Sequence, residues 1–196
     1  IRNKDYITTQ FVKAGINQTG GTQKLIAGAQ DNGTQFINNA PVGASSSVEV
    51  TGGDGFYCFI DADDQFMIGS YVYNNYRYLL TDGTLLGNFP GSSNDGDFVN
   101  QCALDSNSNI LYSNGTSGST YRIYRWTITP SGPSISKATL SNALIDNIPT
   151  AFETSPYTTN RLLVGLANSK LVQVNNANAT PTWTSIGDPS WVGAIS

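Results

Sequence analysis

Two stretches of this chain superpose without a gap at an offset of 44 residues. Tyr57-Cys58-Phe59-Ile60-Asp61, followed by Phe66-Met67-Ile68-Gly69, falls on Gln101-Cys102-Ala103-Leu104-Asp105, followed by Ile110-Leu111-Tyr112-Ser113. The two cysteines coincide. Self-similarity at such a period marks one supersecondary unit used repeatedly, and a unit of this size cannot bury its apolar faces alone. The chain is thereby restricted to architectures in which like units shield one another.

Weaker copies flank the clear pair. Phe11-Val12-Lys13-Ala14-Gly15-Ile16-Asn17 with Leu25-Ile26-Ala27-Gly28 precedes it, and Ala151-Phe152-Glu153-Thr154-Ser155-Pro156 with Leu162-Leu163-Val164-Gly165 follows it. A half-copy, Trp191-Val192-Gly193-Ala194-Ile195-Ser196, stands at the end. The anchors Ile16, Ile60, Leu104, Ser155 and Ile195 are then spaced 44, 44, 51 and 40 residues apart. After each second strand comes a return strand with two-residue alternation, such as Tyr76-Arg77-Tyr78-Leu79 or Lys170-Leu171-Val172-Gln173-Val174. An outer strand such as Pro181–Ile186 completes the unit. Four strands per unit of this length predict an all-β propeller of about four four-stranded blades. The blades are expected at 6–50, 51–95, 96–147 and 148–190, with 191–196 opening a further one. Small residues at Gly28, Gly69, Ser113 and Gly165 are expected where backbones crowd together. A segment of a longer propeller is expected, with the remaining blades as intramolecular partners; a four-bladed ring closed by strand exchange between the two ends is the alternative.

Composition agrees with a β-rich, turn-rich chain and removes several functions. Ten Lys and Arg stand against fourteen Asp and Glu, so no basic face for nucleic acid is expected. The absence of His excludes a Ser–His triad, an imidazole base and a His metal ligand. No apolar run reaches the roughly 18 residues of a membrane-spanning helix, so no membrane insertion is expected. Charged residues are only 12 %, about half the usual share, so Asn, Ser, Thr and Gln must cover the surface. That kind of surface suits a secreted or cell-surface protein.

Leu25-Ile26-Ala27-Gly28-Ala29-Gln30-Asp31-Asn32-Gly33-Thr34, with Gly52-Gly53-Asp54-Gly55-Phe56 behind it, resembles repeats of the BNR/Asp-box type of propeller. That group includes sortilin-like and xyloglucanase-like proteins and repeats of large secreted bacterial proteins, many exported by type IX secretion. The resemblance implies an extracellular bacterial propeller with an interaction or carbohydrate-facing role. The Asp-box itself has decayed: Asn178 stands at the Asp place ahead of Thr182-Trp183, and Thr81-Asp82-Gly83-Thr84 is a fainter echo.

Candidate ligand-binding residues fall into two groups. In Gln30-Asp31-Asn32, a carboxylate between two amides suits a sugar hydroxyl or a cation, but Asn32-Gly33 equally suits a tight two-residue hairpin turn. Tyr71, Tyr73, Asn74 and Asn75 combine rings that stack with amides that pair with hydroxyls. Tyr71 with Tyr73 and Tyr76 with Tyr78 alternate, so one pair is expected in the core. The loops at Asp61-Ala62-Asp63-Asp64 and Asp105–Asn109 look like the first half of a calcium loop, but Phe66 and Ile110 occupy the glycine position. Asn94-Asp95-Gly96-Asp97 is another oxygen-rich turn. Calcium is thus the one cation to consider, and no cofactor is expected. Cys58 and Cys102 are expected as small buried residues, with a disulfide as the alternative. A sialidase-like site needs converging arginines, and Arg2, Arg77, Arg122, Arg125 and Arg161 show no such pattern. No catalytic residue is assigned. The expected function is non-catalytic recognition of a glycan or a protein surface. A glycoside hydrolase sharing its active site with further blades is the alternative, and an exported passenger of a secretion system is a third.

Overall fold

A computed structural model describes residues 9–19, 22–43 and 45–187. The described residues form sixteen β-strands and no helix. The first sheet holds β1 (Phe11–Ile16), β2 (Leu25–Ala29), β3 (Thr34–Ile37) and β4 (Val48–Thr51). The second holds β5 (Cys58–Ile60), β6 (Met67–Ser70), β7 (Tyr76–Leu79) and β8 (Leu85–Asn88). The third holds β9 (Cys102–Asp105), β10 (Ile110–Asn114), β11 (Ile123–Thr129) and β12 (Ser134–Leu140). The fourth holds β13 (Pro149–Thr154), β14 (Leu162–Leu166), β15 (Leu171–Asn175) and β16 (Thr182–Ser185). Every sheet is an antiparallel meander in chain order. The four sheets span residues 11–51, 58–88, 102–140 and 149–185. Residues 6–8 and 188–196, including the half-copy at the end, lie outside the described residues.

Packing follows chain order. Ile26 and Phe36 of the first sheet pack with Cys58, Ile60, Met67 and Leu79 of the second. Phe66, Ile68, Tyr76 and Tyr78 of the second pack with Cys102, Leu111, Tyr124 and Trp126 of the third. Ile110, Tyr112 and Ile123 of the third pack with Leu162, Val164, Val172 and Val174 of the fourth. The side-chain period of a strand is two, so alternate residues of one strand serve opposite neighbours. Thus Met67 faces back to the first sheet while Phe66 and Ile68 face the third. Strands β6 and β10 are buried on both faces, whereas β14 alternates between buried and half-buried positions.

Strand pairing corrects part of the repeat alignment. Ile16 pairs with Leu25, Ile60 with Met67, Leu104 with Leu111, and Thr154 with Leu162. The fourth anchor is therefore Thr154 and not Ser155. Gly69 and Ser113 lie opposite Cys58 and Cys102. Their counterparts are Ala27 opposite Ala14 and Val164 opposite Phe152, each one residue before the expected Gly28 and Gly165. A one-residue slip exchanges the two faces of a strand, so burial decides the register and the similarity of small residues does not.

In the first, second and fourth units the residue after the anchor caps the turn. Asn17 Oδ1 accepts from Lys24 N at 2.8 Å, Asp61 Oδ2 from Gln65 N at 3.3 Å, and Ser155 Oγ from Thr158 N at 3.1 Å. These polar caps satisfy backbone donors where the first hairpin reverses. Asp61 is only 1 % exposed, and its Oδ1 has no partner among the described residues. Burial, aided by the nearby Asp63 charge, raises its carboxyl above the ordinary value despite the Gln65 hydrogen bond. A raised native pKa means that this group favours folding below the unfolded value near 3.9, and that the benefit is lost as pH rises through the native value. Asp61→Asn is expected to raise the melting temperature at pH 7 and to lose that advantage near pH 4. The first unit already carries Asn17 at this place. Melting curves with the same gap at both pH values would refute the assignment.

Candidate functional site

Four glycines explain the motif that spans Gly28 to Gly55. The N–H of Gly33 donates to Gly53 O at 2.7 Å, and that of Gly55 to Ala29 O at 2.9 Å. The segment between β4 and β5 is thereby laced to the β2–β3 loop. A Cβ on Gly28 would stand 2.4 Å from Phe56 O, and one on Gly55 would stand 2.2 Å from Gly33 O. Only glycine lets these backbones meet. The loop is not the two-residue Asn32-Gly33 turn expected from sequence. Left-handed φ falls on Asp31 (62°) and Gly33 (64°), not on Asn32, and the longer turn spans residues 30–33.

That lacing displays Gln30, Asp31 and Asn32 on the surface. The Asp31 N–H donates to Asp54 Oδ1 at 3.0 Å, and Asn32 Nδ2 donates to Gln30 O at 3.3 Å. Asp31 shows no hydrogen bond to its own backbone; its N–H is held by the next unit.

The second candidate group divides. Tyr71 and Tyr73 are half-buried, whereas Tyr76 and Tyr78 lie in the core. Asn74 is fully buried: Nδ2 donates to Asp95 O at 2.8 Å and Asn114 O at 2.7 Å, and Oδ1 accepts from Ser113 Oγ at 2.7 Å. Its hydrogen-bonding groups are engaged inside the protein, so it leaves the set of surface candidates and becomes a bolt between the second and third sheets. Asn75 Nδ2 donates to Val72 O at 2.7 Å and shapes the same loop. Tyr73 is held at φ 56°, an uncommon conformation for a bulky residue, by its N–H donating to Phe98 O at 3.1 Å.

The structure brings the two groups to one rim. A Cβ on Gly53 would stand 2.9 Å from the Tyr71 ring, so that ring lies against the strip that also carries Asp54. Phe98, absent from the sequence candidates, stands edge-on to Tyr73 (5.9 Å between centroids, 87°) and to buried Phe56 (5.5 Å, 67°). It is 43 % exposed. The Arg77 guanidinium lies 5.3 Å from the Tyr71 ring centroid. Carboxylates, amides and aromatic rings from the first two units and the link to the third therefore share one patch. Phe98 was hidden from sequence reasoning because the loop 89–101 has no strand alternation to place it.

Asp95, Arg122, Arg125 and Arg161 have structural partners. Asp95 Oδ2 accepts from Tyr124 Oη at 2.5 Å, Ser93 Oγ at 2.9 Å and Arg122 at 3.4 Å. Burial works to raise Asp95, but these contacts outweigh it and hold the carboxyl below its ordinary value. Lys137 Nζ lies 3.9 Å from the Tyr124 ring centroid and 4.9 Å from that of Trp126. Burial there lowers its pKa. Arg122 donates to Gly115 O, whereas Arg125 and Arg161 donate to Ala177 O and Asn175 Oδ1, so each guanidinium is engaged by the protein itself. Arg2 lies outside the described residues. Among the described residues no three acidic or thiol groups converge as a metal site requires. Cys58 and Cys102 are buried free thiols, each pushed up to about 12 chiefly by burial. A groove of about 590 Å³ between the β3–β4 hairpin and the Asp82–Thr84 turn includes none of the candidates. No protein-family model matches the chain, and no curated protein matches it.

Proposed function

We propose that the four sheets are consecutive blades of a β-propeller of the BNR/Asp-box type. In this reading the chain is a segment of a secreted or cell-surface bacterial protein completed by further blades. Its role is non-catalytic recognition of a glycan or protein surface at the Asp31–Asp54–Tyr71–Tyr73–Phe98 rim. The observation that carries the recognition role is the meeting of two separate polar and aromatic motifs on one exposed edge. Rings offer flat faces to sugar C–H groups, while carboxylates and amides accept from hydroxyls. Side-by-side packing in chain order supports the propeller, because every apolar face between neighbours is covered by a unit of like build. A hydrolase completed by further blades remains the second reading. Export as a type IX passenger accounts for the low-charge surface without assigning the rim a ligand.

A glycan array probed with the whole chain tests the recognition role. Binding is expected to fall at least tenfold in Tyr73→Gly, which preserves the left-handed backbone while removing the ring. Phe98→Ala is expected to weaken the same ligands. Binding indifferent to both substitutions removes the rim as the site. Turnover of a bound oligosaccharide selects the hydrolase.

A further inference from the structure

The groove beside β4 combines a free strand edge with acid that has no counter-charge. Strand β4 is hydrogen-bonded to β3 alone and stands last in the order β1-β2-β3-β4, so among the described residues its far edge carries no strand. The groove, of about 590 Å³, is lined by Val48, Glu49 and Val50. Side chains alternate between the two faces of a strand, so a groove that touches three successive residues runs along the edge and not over one face. Its floor is apolar, because Phe36 and Val50 pack into the core with the second sheet. The opposite wall is the turn Asp82-Gly83-Thr84. A Cβ on Gly83 would stand 2.9 Å from the Phe36 ring and 3.2 Å from Val50 Cγ1, so the turn is seated on that floor.

Edge strands are natural templates for a further strand, and proteins blunt them with lysine, proline or a covering loop. Strand β12 of the third unit does so with Lys137, whose Nζ donates to Gly91 O at 2.8 Å. Strand β4 instead reads Val48-Glu49-Val50-Thr51, three β-branched residues and one acid, and Val48 is 65 % exposed. Glu49 and Asp82 are both exposed. The three ion pairs of the described residues use Asp64, Asp95 and Asp146, and neither of these two. The Thr84 N–H donates to Asp82 Oδ1 at 2.9 Å and holds that carboxyl below its ordinary value. Lys24, whose charge also reaches Asp82, is buried and committed to Asp64. The groove thus offers an open backbone edge, an apolar floor and two carboxylates.

We propose that β4 and the Asp82–Thr84 turn take up a basic, extended segment of a partner protein as a fifth strand of the first sheet. Main-chain hydrogen bonds to β4 supply affinity, and Lys or Arg side chains facing Glu49 and Asp82 select the partner. An acidic strand would set like charges opposite Glu49 and is rejected. The groove shares no residue with the Asp31–Phe98 rim, so the two surfaces stand or fall separately.

Fluorescence anisotropy of the whole chain with the labelled, end-capped peptide Thr-Val-Lys-Lys-Val-Thr tests it. Saturable binding is expected, with none for Thr-Val-Glu-Glu-Val-Thr. Only one edge of an added strand pairs with β4. Of two basic peptides N-methylated along opposite edges, one is therefore expected to lose binding and the other to keep it. Glu49→Gln combined with Asp82→Asn keeps both side-chain shapes and the acceptor for Thr84 N–H. The unliganded melting temperature should hold there while affinity falls at least tenfold. Tyr73→Gly should leave binding unchanged. Absence of saturable binding of the basic peptide, or its loss in Tyr73→Gly, overturns the surface. Equal affinity of the two N-methylated peptides overturns strand addition. Equal affinity in the double variant, or for the acidic peptide, overturns selection by charge.

Discussion

Trp126→Ala is expected to lower the unfolding free energy by about 3–5 kcal/mol, the range for deleting a large aromatic from a well-packed core. Trp126 lies on β11 with no exposed surface, at the centre of the contact between the second and third sheets. Its ring meets Tyr76, Phe89 and Tyr124 at centroid distances of 5.8, 5.7 and 6.1 Å, each in an edge-on geometry. Its Nε1–H donates to Ser113 Oγ at 3.1 Å, and that hydroxyl in turn donates to Asn74 Oδ1. Removing the indole therefore opens a cavity and leaves one end of a buried polar chain unpaired. Trp126→Phe keeps much of the volume and loses the donor, so a smaller loss of about 1–3 kcal/mol is expected. Urea denaturation of the three proteins measures the series. A loss below about 1 kcal/mol in Trp126→Ala, well short of the core range, would mean that this contact does not hold the sheets together.

Gly28→Ala is expected to cost about 3 kcal/mol, at the upper end of ordinary overpacking. The added methyl would meet Phe56 O at 2.4 Å, Phe56 N at 2.5 Å and Gly55 C at 2.7 Å, all backbone atoms of the following unit. No side chain is there to rotate away, so two successive units must separate or the β2 backbone must bend. Gly118→Ala makes the contrast. Gly118 has φ 55° but nothing within 4 Å of the added carbon, so only the backbone preference is lost, about 1 kcal/mol. Chemical denaturation that ranks the two substitutions the other way would show that close approach is not what selects Gly28. It would also undercut the packing explanation of the motif from Gly28 to Gly55.

The same glycines show why a motif is easier to find than to interpret. Their spacing marks residues 25 to 56 as special, and it attracts attention to Gln30, Asp31 and Asn32. Its physical content is backbone contact between units, and the displayed polar residues are what that contact leaves outside. Asn74 reverses the case. Beside Tyr71 and Tyr73 it reads as a surface amide, yet the loop between β6 and β7 turns it inward, where two carbonyls and Ser113 use its polar atoms. Nothing in one strand's sequence distinguishes an exposed amide from a buried, satisfied one, because the partners come from the neighbouring sheet.

Local order needs only the chain itself. Alternating apolar residues, turn formers after Ile16, Ile60 and Leu104, and the 44-residue echo of Cys58 in Cys102 determine four antiparallel four-stranded units, since each strand pairs with its neighbour in sequence. Contacts between units are another matter. The face each strand gives to which neighbour, the fourth anchor at Thr154, the place of Phe98 beside Tyr73, and the seating of Gly83 on Phe36 depend on residues far apart in the chain. Those pairings are selected by burial of whole sheet faces against each other, a quantity that exists only once the sheets are packed.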